Sequence, residues 1–248
     1  MRLLKSAFFV FAVVTTAAAQ SPEIPLGDTR LTVHTLLRED IFAGFLDNDM
    51  ERVAVAEQNL EVLLKQRPGD RANLLAWKGS IEVVHAVRAH EAGKPEEFNK
   101  RFLNAKEAFA AAAKISTPSD GVAPITGGTY AVFADRLPKE HRAAAWAQAY
   151  DSYSLLWKAQ GAQVEQLPLH FKGELLSGMA QSAQRTGRAE ESAQFVEKML
   201  TLLPNTAFEK TARQWKTDPA SAATTNLTCK NCHGAGRLAA KIKALPPK

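Results

Sequence analysis

LLSGMAQSAQRTGRAEESAQFVEKMLTLLP, residues 175 to 204, holds the most regular apolar pattern in the chain. Leu175, Leu176, Met179, Ala180 and Ala183 recur at helical spacing and define one face. Gly187 breaks that helix. A second helix starts at Ala189, with Ser192, Ala193, Val196, Met199, Leu200 and Leu203 expected on its buried side, and Pro204 ends it. Two amphipathic helices joined by a glycine turn make an antiparallel hairpin, so the pattern predicts an all-α fold.

The same logic extends upstream. Asn48 and Glu51 are spaced for a capping box, followed by a stripe of Val53, Ala56, Leu60, Leu63 and Leu64. Pro68-Gly69-Asp70 closes that helix and opens one carrying Leu74, Leu75, Trp77, Ile81, Val84 and Val87. Gly93-Lys94-Pro95 separates it from a partner over Glu96–Lys114, with Phe98, Phe102, Ala105, Phe109 and Ala112 inward. From Ser116 to Tyr130 the composition is that of turns, and a connector between helical halves is expected there, with a ligand loop as the alternative. Helices resume near Lys139, where Ala143, Trp146, Ala147, Tyr150, Tyr153, Leu156 and Trp157 form an aromatic face read as core. A helix over Val164–Arg185 leads into the hairpin above. A short helix with Phe208, Ala212 and Trp215 follows Pro204, and Asp218–Asn226 reads as a linker.

Leu176, Met179, Ala180, Ala183, Gly187, Ser192, Val196 and Pro204 fall on or near the preferred positions of the tetratricopeptide repeat, which this hairpin resembles. The resemblance covers roughly residues 37 to 204, with the other hairpins degenerate, and implies docking of a partner protein on a helical surface.

The N-terminus adds a compartment. Arg2 and Lys5 precede an apolar run from Ala7 to Val14, and Ala17-Ala18-Ala19 follows, the pattern of a cleavable secretory signal. The run is shorter than the ~20 residues of a spanning helix, and no later stretch is apolar enough to span. A periplasmic or secreted protein without a membrane span after cleavage is expected. The composition is that of a soluble globular chain, 46% hydrophobic and 23% charged, with net charge +5. Basic stretches interleaved with aromatics are missing, so nucleic acid is not an expected partner.

Cys229-Lys230-Asn231-Cys232-His233 contains both cysteines of the chain. Its C-x-x-C-H form is the attachment signature of c-type haem, with thioethers at Cys229 and Cys232 and His233 as the iron ligand. In these five residues the chain is similar to c-type cytochromes, and the resemblance implies one-electron transfer, a redox partner protein or another periplasmic partner, and one covalent haem c. Fifteen residues follow His233, too few for an ordinary cytochrome domain. Zinc is an alternative, because Gly234 and Gly236 complete a C-x-x-C-x-G-x-G half-site, although a structural zinc needs four ligands. A disulfide is the third reading.

Met179 and Met199 sit at core positions of the hairpin, and no methionine lies downstream of the motif, so the distal ligand is left open. His141 and His170 lie near helix starts, where either could face a docked tail, although a lone histidine is more often a structural or surface residue. No catalytic triad, paired-carboxylate or phosphate-loop pattern is present, so an enzyme is not expected, with peroxidase-type haem chemistry left open. The resulting organisation is a signal at 1–19, a lead segment at 20–36, a helical repeat domain at 37–216, a linker at 217–228 and a C-x-x-C-H tail at 229–248. The alternative function is a periplasmic tetratricopeptide-like scaffold whose tail binds zinc or forms a disulfide.

Overall fold

Gly187 adopts φ 78°, a left-handed turn that costs glycine little, and it reverses the chain between two helices. The computed structural model describes residues 24–117, 120–223 and 236–246. The signal expected at 1–19 lies outside them. The helices are α1 (Val33–Asp47), α2 (Met50–Gln66), α3 (Arg71–Glu91), α4 (Pro95–Ile115), α5 (Val122–Phe133), α6 (Lys139–Gln160), α7 (Leu169–Arg185), α8 (Ala189–Leu202), α9 (Ala207–Thr217) and α10 (Arg237–Lys243), with no strand among the described residues. No helix among these residues is long and apolar enough to cross a membrane.

Sequence neighbours pack in pairs, α1 with α2, α3 with α4, α5 with α6 and α7 with α8. The pairs then stack through α2 on α3, α3 on α5, α6 on α7 and α8 on α9. One hydrophobic core gathers α1 to α5 and the first half of α6 as far as Ala149. A second begins at Tyr153 and Leu156 and continues through α7, α8 and α9. The 22-residue α6 therefore belongs to both.

Several expectations are corrected. Asp49, not Asn48, caps α2, accepting from the Arg52 amide at 3.1 Å; Asn48 instead ends α1 with φ 61°. On α8, Ala193 faces solvent and Phe195 is buried, its ring edge-on to Trp157 at 4.9 Å. On α6, Ala143 and Ala147 are exposed, while Ala145 and Ala149 are buried. The helix expected over Val164–Arg185 is broken: Gly161–Gln166 is a 3₁₀ segment and α7 starts only after Pro168.

The largest correction concerns Ser116–Tyr130, which is no extended connector. Most of it is α5. Pro124 is the third residue of that helix, where its missing N–H removes no intrahelical bond. Gly127 is buried, and a Cβ there would lie 3.2 Å from Ser152 and from the Tyr153 ring. Thr129 donates to the Ile125 carbonyl at 2.7 Å and meets Ser80 of α3 at 2.6 Å. The glycine serves close helix approach, not a turn.

Tyr153 has a second such neighbour. A Cβ on Gly178 of α7 would lie 2.4 Å from its ring, so the phenol is gripped between α5 and α7. Gly178→Ala is expected to destabilise the fold by about 1–3 kcal/mol through overpacking, despite the higher helix propensity of alanine. Gly69→Ala, where a Cβ meets nothing within 4 Å, is expected to be near neutral. Urea unfolding of the two variants measures the contrast.

Candidate functional site

Cys229, Cys232 and His233 lie outside the described residues, in the interval 224–235, and the described chain is fastened on either side of it. Upstream, the expected linker begins as a packed 3₁₀ segment, Pro219–Ala223. Ala222 is 2% exposed, and its carbonyl accepts from Gln181 Nε2 of α7 at 3.0 Å. This end belongs to the second core.

Downstream, the chain is fastened to the first core. Gly236 takes φ 89° and leads into α10, whose Leu238 and Ile242 pack with Leu245 against that core. The opening amides of α10 have no intrahelical acceptor. Glu39 of α1 supplies one: its carboxylate accepts from Gly236 N at 2.9 Å and Leu238 N at 2.7 Å. The same carboxylate pairs with Arg52 at 3.1 Å. Arg30 closes the far end by donating to the Pro246 carbonyl at 2.5 Å. The described chain thus stops at residue 223 on the second core and resumes at residue 236 on the first.

Several side chains gather around the downstream end. Only Gly234 and Ala235 separate His233 from Gly236, a tether of about 11 Å at full extension. Arg237 lies between the two amides held by Glu39, and Arg38 is Glu39's neighbour on α1, so two guanidiniums come to this edge. His170, in the first turn of α7, is within their influence: burial lowers its pKa, and the charges of Arg38 and Arg237 lower it further. Both effects favour the neutral imidazole. His170 Nε2 lies 3.5 Å from Glu174 Oε2. Although 31% of the Glu174 side chain still meets solvent, the surrounding protein raises its carboxyl to about 7.

Beside His170, Leu169 is 54% and Phe171 55% exposed. Two large apolar side chains flank a histidine and reach outward. The helical pattern gave no reason to single them out, but the run Leu167-Pro168-Leu169-His170-Phe171 places apolar residues directly around a histidine at a helix start, which is a readable signal. Arg38 and Arg237 carry no such signal, because only the folded chain brings α1 to α10.

The other histidine named with His170 is elsewhere. His141 packs on α4, with its ring 5.4 Å from Phe98 and 5.1 Å from Phe102. His85 pairs with Glu57 at 3.0 Å. His34 lies on α1 one turn before Arg38, 5.2 Å from Trp77. Met179 and Met199 are buried in the second core. The aromatic face of α6 also has protein partners: Trp146 donates to Asp135 at 3.0 Å, and Trp157 meets Phe195. A cleft of about 430 Å³ between α6 and α8 is lined by Tyr150, Asp151, Leu155, Trp157, Lys158 and Glu191. Among the described residues, no three His, Cys, Asp or Glu side chains are grouped to hold a metal ion.

No protein-family model, curated protein or solved structure matches this chain.

Glu39 gives a test of the fastening. Its amide and Arg52 hydrogen bonds outweigh burial and hold its pKa below the ordinary 4.5. A lowered carboxylate stabilises the fold above its unfolded pKa and loses that contribution as pH falls through the folded value. The protection factors of the Gly236 and Leu238 amides, taken against the intrinsic exchange rate at each pH, should therefore fall on acidification below pH 4.5. Glu39→Ala should lower them at neutral pH, with a loss of about 1–2 kcal/mol if the cap is local.

Proposed function

We propose that this chain is an exported mono-haem protein that transfers electrons through a haem c attached to Cys229 and Cys232, with His233 as its proximal ligand and the helical domain docking a partner protein. The observation that carries the reading is the C-x-x-C-H motif, made from both cysteines of a chain whose N-terminus reads as a secretory signal. Export and motif agree, since covalent haem attachment belongs to the compartment that such a signal leads to.

The residues at the fastened edge suit a haem. Its macrocycle is apolar and its two propionates are anionic. Leu169 and Phe171 offer apolar surface, and Arg38 and Arg237 offer guanidiniums matched to carboxylates. The group itself, when bound, supplies a one-electron couple whose potential depends on ligation and burial. This chain's contribution is positional. Glu39 holds Gly236 and Leu238, and Gln181 holds Ala222, so the chain on either side of the motif is fastened to the helical body.

The pairwise packing of α1 to α8 supports the tetratricopeptide-like part of the reading. In such families consecutive hairpins build a surface that takes a partner. A partner docked on that surface would find the redox group fixed relative to it, which shortens and orients the electron path.

The test uses the full chain, expressed with its N-terminal segment in a host that attaches haem. The denatured protein should keep a haem absorption spectrum that survives acid-acetone extraction. Cys229→Ala with Cys232→Ala should abolish that absorption while leaving the far-ultraviolet helical signal unchanged. A colourless wild-type protein containing stoichiometric zinc, or one with both thiols blocked in a disulfide, would replace this reading with that of a periplasmic scaffold.

A further inference from the structure

Leu155 of α6 is 62% exposed, more than any other large apolar side chain among the described residues. It rims the cleft between α6 and α8 together with Asp151 and Lys158. Positions 151, 155 and 158 share one face of a helix, and all three are exposed. Along that face the order is anion, apolar, cation, with the two charges two helical turns apart, about 10 Å along the axis.

The neighbouring helix leaves these charges as they are. Among the described residues, neither Asp151 nor Lys158 enters an ion pair. Glu191 of α8 already accepts from the Tyr150 hydroxyl at 2.8 Å, and the Arg188 guanidinium lies 4.0 Å from the Tyr150 ring. Asp151 is left as the anion of this end. At the other end Lys198 lies 5.8 Å from the Trp157 ring, which adds a second cation beside Lys158. Ala147, one turn before the row, and Ala162, one turn after it, are also exposed. Small side chains there let a second helix approach within the 8–10 Å of ordinary helix packing.

We propose that this face of α6 pairs with a second copy of the chain. A row that reads anion, apolar, cation is its own complement when reversed, and a two-fold axis reverses it. With the axis near Leu155, the two α6 helices lie antiparallel and the two Leu155 side chains meet. Asp151 of each protomer then faces Lys158 of the partner subunit, giving two equivalent ion pairs, and Ala147 faces Ala162 of the partner subunit. A second copy supplies this order without further requirement, which an unrelated partner does not. The ion pairs select the partner and its orientation, while burial of Leu155 removes the most exposed apolar side chain from water. Pairs at such an open surface are screened by salt, so the association is reversible and weakens with ionic strength. The pairing is independent of the haem reading.

Sedimentation velocity of the full exported chain, over a range of protein and salt concentrations, tests the proposal, with circular dichroism as the check on fold. Wild type should show a monomer–dimer equilibrium whose dimer share rises with protein and falls with salt. Asp151→Lys makes the row wholly basic and Lys158→Glu makes it wholly acidic, so each variant alone should dimerise at least about tenfold more weakly. Mixed together, the two variants should form a heterodimer, because a basic row then faces an acidic one. Asp151→Lys with Lys158→Glu in one chain should regain the homodimer, which separates loss of pairing from loss of fold. Leu155→Ser should weaken every one of these pairings. A wild type that stays monomeric at all concentrations would overturn the proposal and leave the row to a different partner. A wild-type dimer indifferent to these substitutions would place the contact elsewhere and overturn it equally. So would two single variants that keep the helical signal but fail to pair on mixing.

Discussion

Helix α6 is the constraint on which the rest of the molecule depends. Its first half, as far as Ala149, closes the core made by α1 to α5. Its second half, from Tyr153, opens the core made with α7 to α9. A continuous helix is stiff on the scale of its own length, so the two cores keep a fixed relation. Tyr153 sets that relation locally, because only glycines at 127 and 178 let α5 and α7 approach its ring from both sides. Overfilling either glycine disturbs both halves together.

With the cores held in register, a chain segment can be fastened to each. Ala222 is fixed on the second core and Gly236 on the first, by Gln181 and Glu39 respectively. The interval between them contains the cysteine motif. An attachment sequence on a free tail would carry its cofactor anywhere within reach. Here the chain on either side of the motif is fastened, at Ala222 and at Gly236, and Arg38 and Arg237 act on His170 beside the second of these ends.

Much of the helical order could be read from sequence because burial imposes a period. Phe98, Phe102, Ala105, Phe109 and Ala112 were expected inward on α4, and all are buried. The failures share one cause. Thr126-Gly127-Gly128 has the composition of a turn, and nothing local distinguishes a turn glycine from one that admits Tyr153 of another helix. Ala193 and Phe195 show the same limit on a smaller scale, since alanine fits either face and the choice falls to Trp157. At the candidate site Cys229, Cys232 and His170 stand out in the sequence by residue type alone. Their surroundings do not, because the approach of Arg38 to Arg237 depends on Glu39 accepting two amides nearly two hundred residues away in the chain.

The proposal to be tested is a covalent haem on Cys229 and Cys232, held near the edge shared by α1, α7 and α10. Paramagnetic shifts in the nuclear magnetic resonance spectrum of the oxidised, full exported chain address it directly, because the ferric iron displaces resonances according to distance. The account predicts the largest shifts at Arg38, His170, Phe171 and Arg237, with the resonances of α4 near their reduced-state positions. Shifts centred on α4, or an oxidised spectrum without any, would contradict it.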